Sequence, residues 1–146
     1  MKLEQFLEQF RSITDGDLKQ DLLIELAEQF KEVPPTIAFR PFPPENKVPA
    51  CESEAYIWLT KSDEGKLKFY FAVENPQGLS AKALAVILDQ NLSETPVDEI
   101  LGVKEEIVYQ IFGRNLSMGK GAGLMNMVGF VRNLARLALA EQSSAP

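Results

Sequence analysis

Histidine is absent from all 146 residues, and that absence removes a large part of protein chemistry. A triad that uses imidazole as its base cannot form, nor can any zinc site that needs a His ligand. Cysteine occurs once, as Cys51. One thiol cannot close an internal disulfide and cannot supply a multi-thiolate metal or iron–sulfur site; it suits a reducing compartment. Basic residues are the minority, 15 Lys and Arg against 21 Asp and Glu, for a net charge of -6 and no long basic run. Nucleic-acid binders carry a basic stripe that neutralises phosphates, so that class is disfavoured. No stretch approaches the roughly 20 consecutive apolar residues of a membrane span. The start, Met1-Lys2-Leu3-Glu4-Gln5, is polar and acidic, unlike a secretory signal or an Arg-rich transit peptide, so a cytoplasmic protein is expected.

What the sequence does have is an ordinary globular balance, 45% apolar and 25% charged, with a length that suits one domain over residues 1–146. It shows neither internal repeats nor low-complexity tracts. Leu3, Phe6, Leu7 and Phe10 recur at i, i+3, i+4 and i+7, which predicts a short amphipathic helix. Thr14-Asp15-Gly16-Asp17 then breaks it and offers caps for a second helix, with Leu18, Leu22, Leu26 and Phe30 on one stripe. Six of the nine prolines fall between Val33 and Ala50, where neither helix nor central strand is favoured. A stiff surface loop over 33–50 is expected, and Cys51 follows it directly.

Residues 53–60 and 66–73 alternate in polarity around Ser62-Asp63-Glu64-Gly65, the pattern of an antiparallel hairpin. Setting Thr60 opposite Lys66 pairs Leu59 with Leu67, Ile57 with Phe69 and Ala55 with Phe71 on one face. The other face pairs Trp58 with Lys68 and Tyr56 with Tyr70. Ser53 and Cys51 continue the buried-face parity, which puts the thiol where the first strand leaves the proline loop. A third short strand near 46–50 is expected, because a lone hairpin is marginal. Helices follow from Leu79, after Ser93-Glu94-Thr95-Pro96, over about 103–112, and from about Gly121 to Ala140. The last is expected to bury Leu124, Met127, Val128, Val131, Leu134 and Leu137, leaving a frayed tail at 141–146. The class is α+β: a small antiparallel sheet of about three strands with helices packed on one face.

Val48, Cys51 and Ser53, within Asn46-Lys47-Val48-Pro49-Ala50-Cys51-Glu52-Ser53-Glu54-Ala55-Tyr56-Ile57-Trp58, match a signature of Val, any residue, Gly, Cys, any residue and Ser, with an aromatic near the start of the following strand. In this the segment resembles the SufE family of sulfur acceptors. The resemblance extends outward in order, through Leu22-Leu23-Ile24-Glu25-Leu26, Ser93-Glu94-Thr95-Pro96-Val97-Asp98-Glu99-Ile100-Leu101, Leu116-Ser117, and Gly123-Leu124 with Met127. It covers about residues 18–140. The chain departs from the pattern at three places. Ala50 stands where the family has Gly, and is less free to take positive φ; Lys120 stands at the family's Arg; the family's Trp aligns nearer Tyr56 than Trp58.

The resemblance implies a SufE/IscU-like fold and a role in iron–sulfur cluster assembly. It implies that Cys51 accepts sulfur as a persulfide from a pyridoxal-phosphate cysteine desulfurase (SufS-like) and passes it to a SufBCD-like scaffold complex. No resident cofactor or metal and no independent turnover would be expected, with Ser53 and Lys120 as supporting or partner-contacting residues. The residues alone leave two rivals open: an Fe–S scaffold, which normally needs several cysteines, and a single-thiol redox protein, which would lack a resolving Cys. Glu52 and Glu54 flank the thiol, and nearby negative charge opposes thiolate formation. A guarded thiol, opened by its partner, is the expectation; monomer and homodimer are both compatible with it. In Met118-Gly119-Lys120-Gly121-Ala122-Gly123 the spacing of a phosphate loop is missing.

Overall fold

The computed structural model describes residues 1–144. The amphipathic start forms α1 (Lys2–Ser12), which buries Leu3, Leu7 and Phe10. The Asp15 carboxylate then accepts hydrogen bonds from the backbone N–H groups of Asp17 and Leu18, and so caps α2 (Gly16–Glu28). The stripe expected on α2 is rotated. Its buried residues are Leu23 and Ala27, whereas Leu18 is 48% exposed and Leu22, Leu26 and Phe30 are partly buried. The partner decides this: α2 lies along α3 (Leu79–Leu92), and the i, i+4 pair ending in a small Ala is the side that lets two helices approach closely.

Strands β1 (Ala55–Lys61) and β2 (Leu67–Val73) form the antiparallel hairpin, in a register shifted from the expected one. Thr60 faces Lys68, Ile57 faces Phe71 and Ala55 faces Val73. The turn explains the shift. Gly65 sits at φ 82 and its N–H donates to the Ser62 carbonyl (2.8 Å), while the Ser62 N–H donates to the Lys66 carbonyl (2.9 Å). Asp63-Glu64-Gly65 is thus a three-residue loop that closes Ser62 on Lys66, a turn built around a left-handed glycine. A shift of two residues preserves side-chain parity, so the face assignments hold although the partners change.

One face of the hairpin carries Ala55, Ile57, Leu67, Phe69, Phe71 and Val73 into the main core. That face is covered by α3 and α6 (Met118–Ser144), with α3 against β2 and α6 against β1. The short α4 (Val97–Leu101) packs on α6, and α5 (Ile107–Phe112) packs on α1 and α6. Each Leu or Ile buried completely in this core, such as Ile57, Leu84 or Ile87, contributes about 1.5–3 kcal/mol by leaving water.

The other face is covered by the proline-rich segment, which is not a loop standing off the surface. Val33, Ala38 and Phe42 fold back over Trp58 and Ala72 and form a second, smaller core with Tyr56 and Tyr70 beside it. Phe42 meets Tyr56 and Trp58 with ring centroids 5.2 Å away in each case. The segment is pinned at both ends: the Val33 N–H donates to the Phe71 carbonyl and the Val48 N–H to the Ala55 carbonyl, each 2.9 Å. Arg40 adds a third anchor, stacking over Phe42 and pairing with both Glu32 and Glu74.

Among the described residues the sheet has two strands, so the third strand expected near 46–50 is not formed. A single antiparallel bridge, Lys47 to Tyr56, stands in its place. Pro49 has no N–H to extend the ladder, and Pro44–Asn46 is occupied by a 3-10 turn.

The last helix starts earlier and runs further than expected. Ser117 caps it, its hydroxyl accepting from the Lys120 N–H (3.2 Å), which offsets the glycines of the first two turns. Leu124, Met127, Val128 and Val131 are buried as expected, but Leu134 is only partly buried and Leu137 is 54% exposed. There α6 borders an open groove beside the turn end of the hairpin rather than packing tightly on it. Of the tail expected at 141–146, residues up to Ser144 continue α6, and Ala145 and Pro146 lie outside the described residues. Among the described residues no helix is long and apolar enough to cross a membrane.

Candidate functional site

The proline-rich segment delivers the chain to a tight turn, Cys51–Glu54, immediately before β1. The Glu54 N–H donates to the Cys51 carbonyl (3.0 Å). Residues on both sides of the thiol lie in the left-handed region: Ala50 at φ 49 and Glu54 at φ 52. Ala50 therefore adopts the conformation for which glycine is the usual residue, at a cost of about 1–2 kcal/mol for the Cβ.

Two side-chain amides hold this turn. Asn126 of α6 donates from Nδ2 to the Pro49 carbonyl (2.9 Å), two residues before the thiol. Asn75, just after β2, donates from Nδ2 to the Glu52 carbonyl (3.2 Å), and its backbone N–H donates to the Ser53 carbonyl (3.2 Å). The dipeptide Ala50-Cys51 is thus suspended between one clasp on α6 and one on the sheet.

The floor of the site is bare helix backbone. A Cβ on Gly123 would lie 3.2 Å from the Cys51 Cα and 3.5 Å from its Sγ, so a side chain there would crowd the Cys51 backbone. One turn earlier the Glu52 carboxylate lies against Gly119, in the first turn of α6. A carboxylate is favourably placed at the N-terminal end of a 27-residue helix, where the backbone dipole is positive. Cys51 itself is half-buried and packs against the main core. It opens into a shallow groove of about 520 Å³ whose walls include Lys47, Pro49, Ala50, Glu52 and Glu54.

The structure brings Cys51 and Ser53 into one turn and puts Lys120 on the exposed first turn of α6, next to the Gly119 that meets Glu52. Ser53 enters through its backbone carbonyl. Among the described residues no hydrogen bond joins its hydroxyl to the Cys51 sulfur, and no ion pair engages Lys120. The helix that forms the floor is itself fixed by Arg132, which donates to the Val103 carbonyl (2.8 Å) and pairs with Glu105. The hydrogen bond from Arg132 holds the Glu105 carboxyl below its ordinary value, against the opposing effect of partial burial.

Asn75, Asn126 and the glycines at 119 and 123 are site residues that the sequence reading missed. Asn75 stands before Pro76 and reads as an ordinary turn, and Asn126 reads as the polar side of a long helix. The i, i+4 spacing of Gly119 and Gly123 carried a signal, since two glycines on one helical face mark a close backbone approach.

Comparison with known proteins gives the family and the fold. The model of the SufE family, described as the Fe-S metabolism associated domain, matches residues 4–135. Uncharacterised SufE-like proteins from two strains of Mycobacterium tuberculosis, CDC 1551 and H37Rv, are 27% identical over 96 residues. Those alignments take in 66% of this chain and 64% of each relative, a little under two thirds of the relatives' length. The solution structure of a hypothetical protein from Thermus thermophilus superimposes with a TM-score of 0.72, covering 95% of this chain and 96% of that one at 22% identity. At that identity the likeness speaks for the fold alone. The match over residues 4–135 takes in nearly the whole chain, the thiol turn included, and so the chain belongs to the SufE family, the Fe-S metabolism associated domain.

Proposed function

We propose that this protein accepts sulfur on Cys51 from a cysteine desulfurase and relays it to iron–sulfur cluster assembly. The observation that carries the reading is the setting of its only cysteine. Cys51 lies in a clasped turn at the mouth of a groove, within a chain that belongs to a family associated with Fe–S metabolism.

In the proposed step the Cys51 sulfur, as thiolate, attacks the outer sulfur of a persulfide on the desulfurase. A Cys51–sulfur bond forms, the donor's sulfur–sulfur bond breaks, and its electron pair leaves with the donor cysteine as thiolate. The outer sulfur keeps its proton, so Cys51–S–SH is produced and no external oxidant or reductant is consumed. Passing that outer sulfur to the thiol of a scaffold complex repeats the same exchange. Clasps at Pro49 and Glu52 guard the thiol at rest, together with the backbone hydrogen bonds of the turn, and partner binding opens it by displacing the two side-chain amides. Lys120, exposed beside the site, is the cation offered to the partner.

The test is stimulation of the cognate desulfurase. Wild-type protein should raise its turnover of free cysteine, and Cys51→Ser should abolish that stimulation. A Cys51→Ser protein that stimulates as well as wild type sinks the proposal.

A further inference from the structure

The two longest helices around the site, α3 and α6, both begin beside the thiol turn, and each opens with an exposed apolar side chain. Leu79 opens α3 and is 41% exposed; Met118 opens α6 and is 92% exposed. Nothing in helix chemistry asks for either residue, because the first turn favours Ser, Thr, Asp or Glu. Single exposed apolar residues are common on proteins, so exposure alone decides nothing. Placement does. Leu79 follows Gly78, where an added Cβ would lie 3.3 Å from the Ser53 Cβ. Met118 precedes Gly119, against which the Glu52 carboxylate rests. Each apolar side chain therefore stands one residue from a glycine packed against the thiol turn, Leu79 next to the one that meets Ser53 and Met118 next to the one that meets Glu52.

The exchange reaction commits what can occupy this surface. A donor sulfur has to reach bonding distance of a half-buried Sγ at the mouth of a shallow groove, so it must arrive on a protruding segment. The body that carries such a segment rests on the surface beyond the groove lining, where the two helices start. We propose that Met118 and Leu79 are the apolar anchors by which the sulfur-donor protein docks, its body resting on the two helix starts while its persulfide-bearing segment enters the groove. The inference rests on the acceptor reading given above. A nearly free Met is suited to such an anchor: unbranched and polarisable, it fills an irregular recess with little strain. Truncating a well-packed anchor of this kind typically weakens association about tenfold or more.

The experiment uses Met118→Ser, Leu79→Ser, the double variant and Met118→Leu, each compared with wild type in two assays. The first follows sulfur transfer from the cognate desulfurase supplied with free cysteine, as a function of acceptor concentration. The second follows reaction of Cys51 with a small persulfide, cysteine persulfide, which needs no docking surface. The expected result is a KM for the acceptor raised about tenfold in each Ser variant and further in the double, with kcat and the small-persulfide rate unchanged. Met118→Leu should stay near wild type. A double variant with wild-type KM overturns the inference while leaving the acceptor reading intact. Wild-type protein that reacts with cysteine persulfide but takes no sulfur from the desulfurase overturns the acceptor reading, and this inference with it.

Discussion

Ala50 is one of two residues around the thiol that sit in the left-handed region, the other being Glu54. It holds φ 49 immediately before the thiol, where glycine would carry no Cβ penalty. Ala50→Gly should therefore stabilise the protein by roughly 0.5–1 kcal/mol, the relief of strain being partly offset by greater freedom of the unfolded chain. Urea denaturation measures this, and a loss of stability would mean that Ala50 packs in a way its exposure does not suggest. Glu105 offers a second test at the same scale. Its carboxyl is held low by Arg132, so its contribution to stability is present above its ordinary value of 4.5 and is lost as pH falls through the lowered one. Glu105→Gln should be less stable than wild type near neutral pH, with the gap closing below about pH 4. A gap independent of pH in denaturation titrations would contradict this.

At the scale of elements, the thiol turn depends on clasps contributed by parts of the chain remote in sequence. Asn126→Ala removes the hydrogen bond to the Pro49 carbonyl from an exposed site, so global stability should fall by only about 1 kcal/mol. Alkylation of Cys51 by iodoacetamide should speed up several-fold, because the turn is released on the side of α6. An unchanged alkylation rate would remove Asn126 from the account of a guarded thiol. The proline-rich segment makes a different prediction. Phe42→Ala should cost about 3 kcal/mol and red-shift the emission of Trp58, the only tryptophan, by opening the second core to water. An unshifted spectrum would show that the segment does not shield the sheet in solution.

These elements also show what could be read from the sequence and what could not. Hairpin, faces and helix order were legible because periodicity is a local property. The position of Cys51 at a loop–strand junction followed from the same parity. Register was not legible, since the left-handed Gly65 chose between two pairings that bury the same side chains. Nor was the buried stripe of α2, because rotation of an amphipathic helix is decided by its neighbour, here α3. Prolines announced a segment that is neither helix nor strand, yet its docking through Phe42 and Arg40 rests on contacts between distant residues. Asn75 and Asn126 were invisible for the same reason: their roles exist only once the sheet and α6 are assembled.

For the whole molecule, α1, α2 and α5 complete the core while the chemistry gathers at the end where α3 and α6 begin. The rest of the fold keeps two helix N-termini, a sheet edge and a proline-rich cover fixed around one turn. The central claim is that Cys51 in that turn carries sulfur, and mass spectrometry tests it most directly. After incubation with the cognate cysteine desulfurase and free cysteine, the Cys51 peptide should gain the mass of one sulfur atom, reversibly by reduction with a thiol. The corresponding peptide of Cys51→Ser should gain nothing. Wild-type protein that emerges from an active desulfurase reaction without added sulfur on Cys51 would contradict the account.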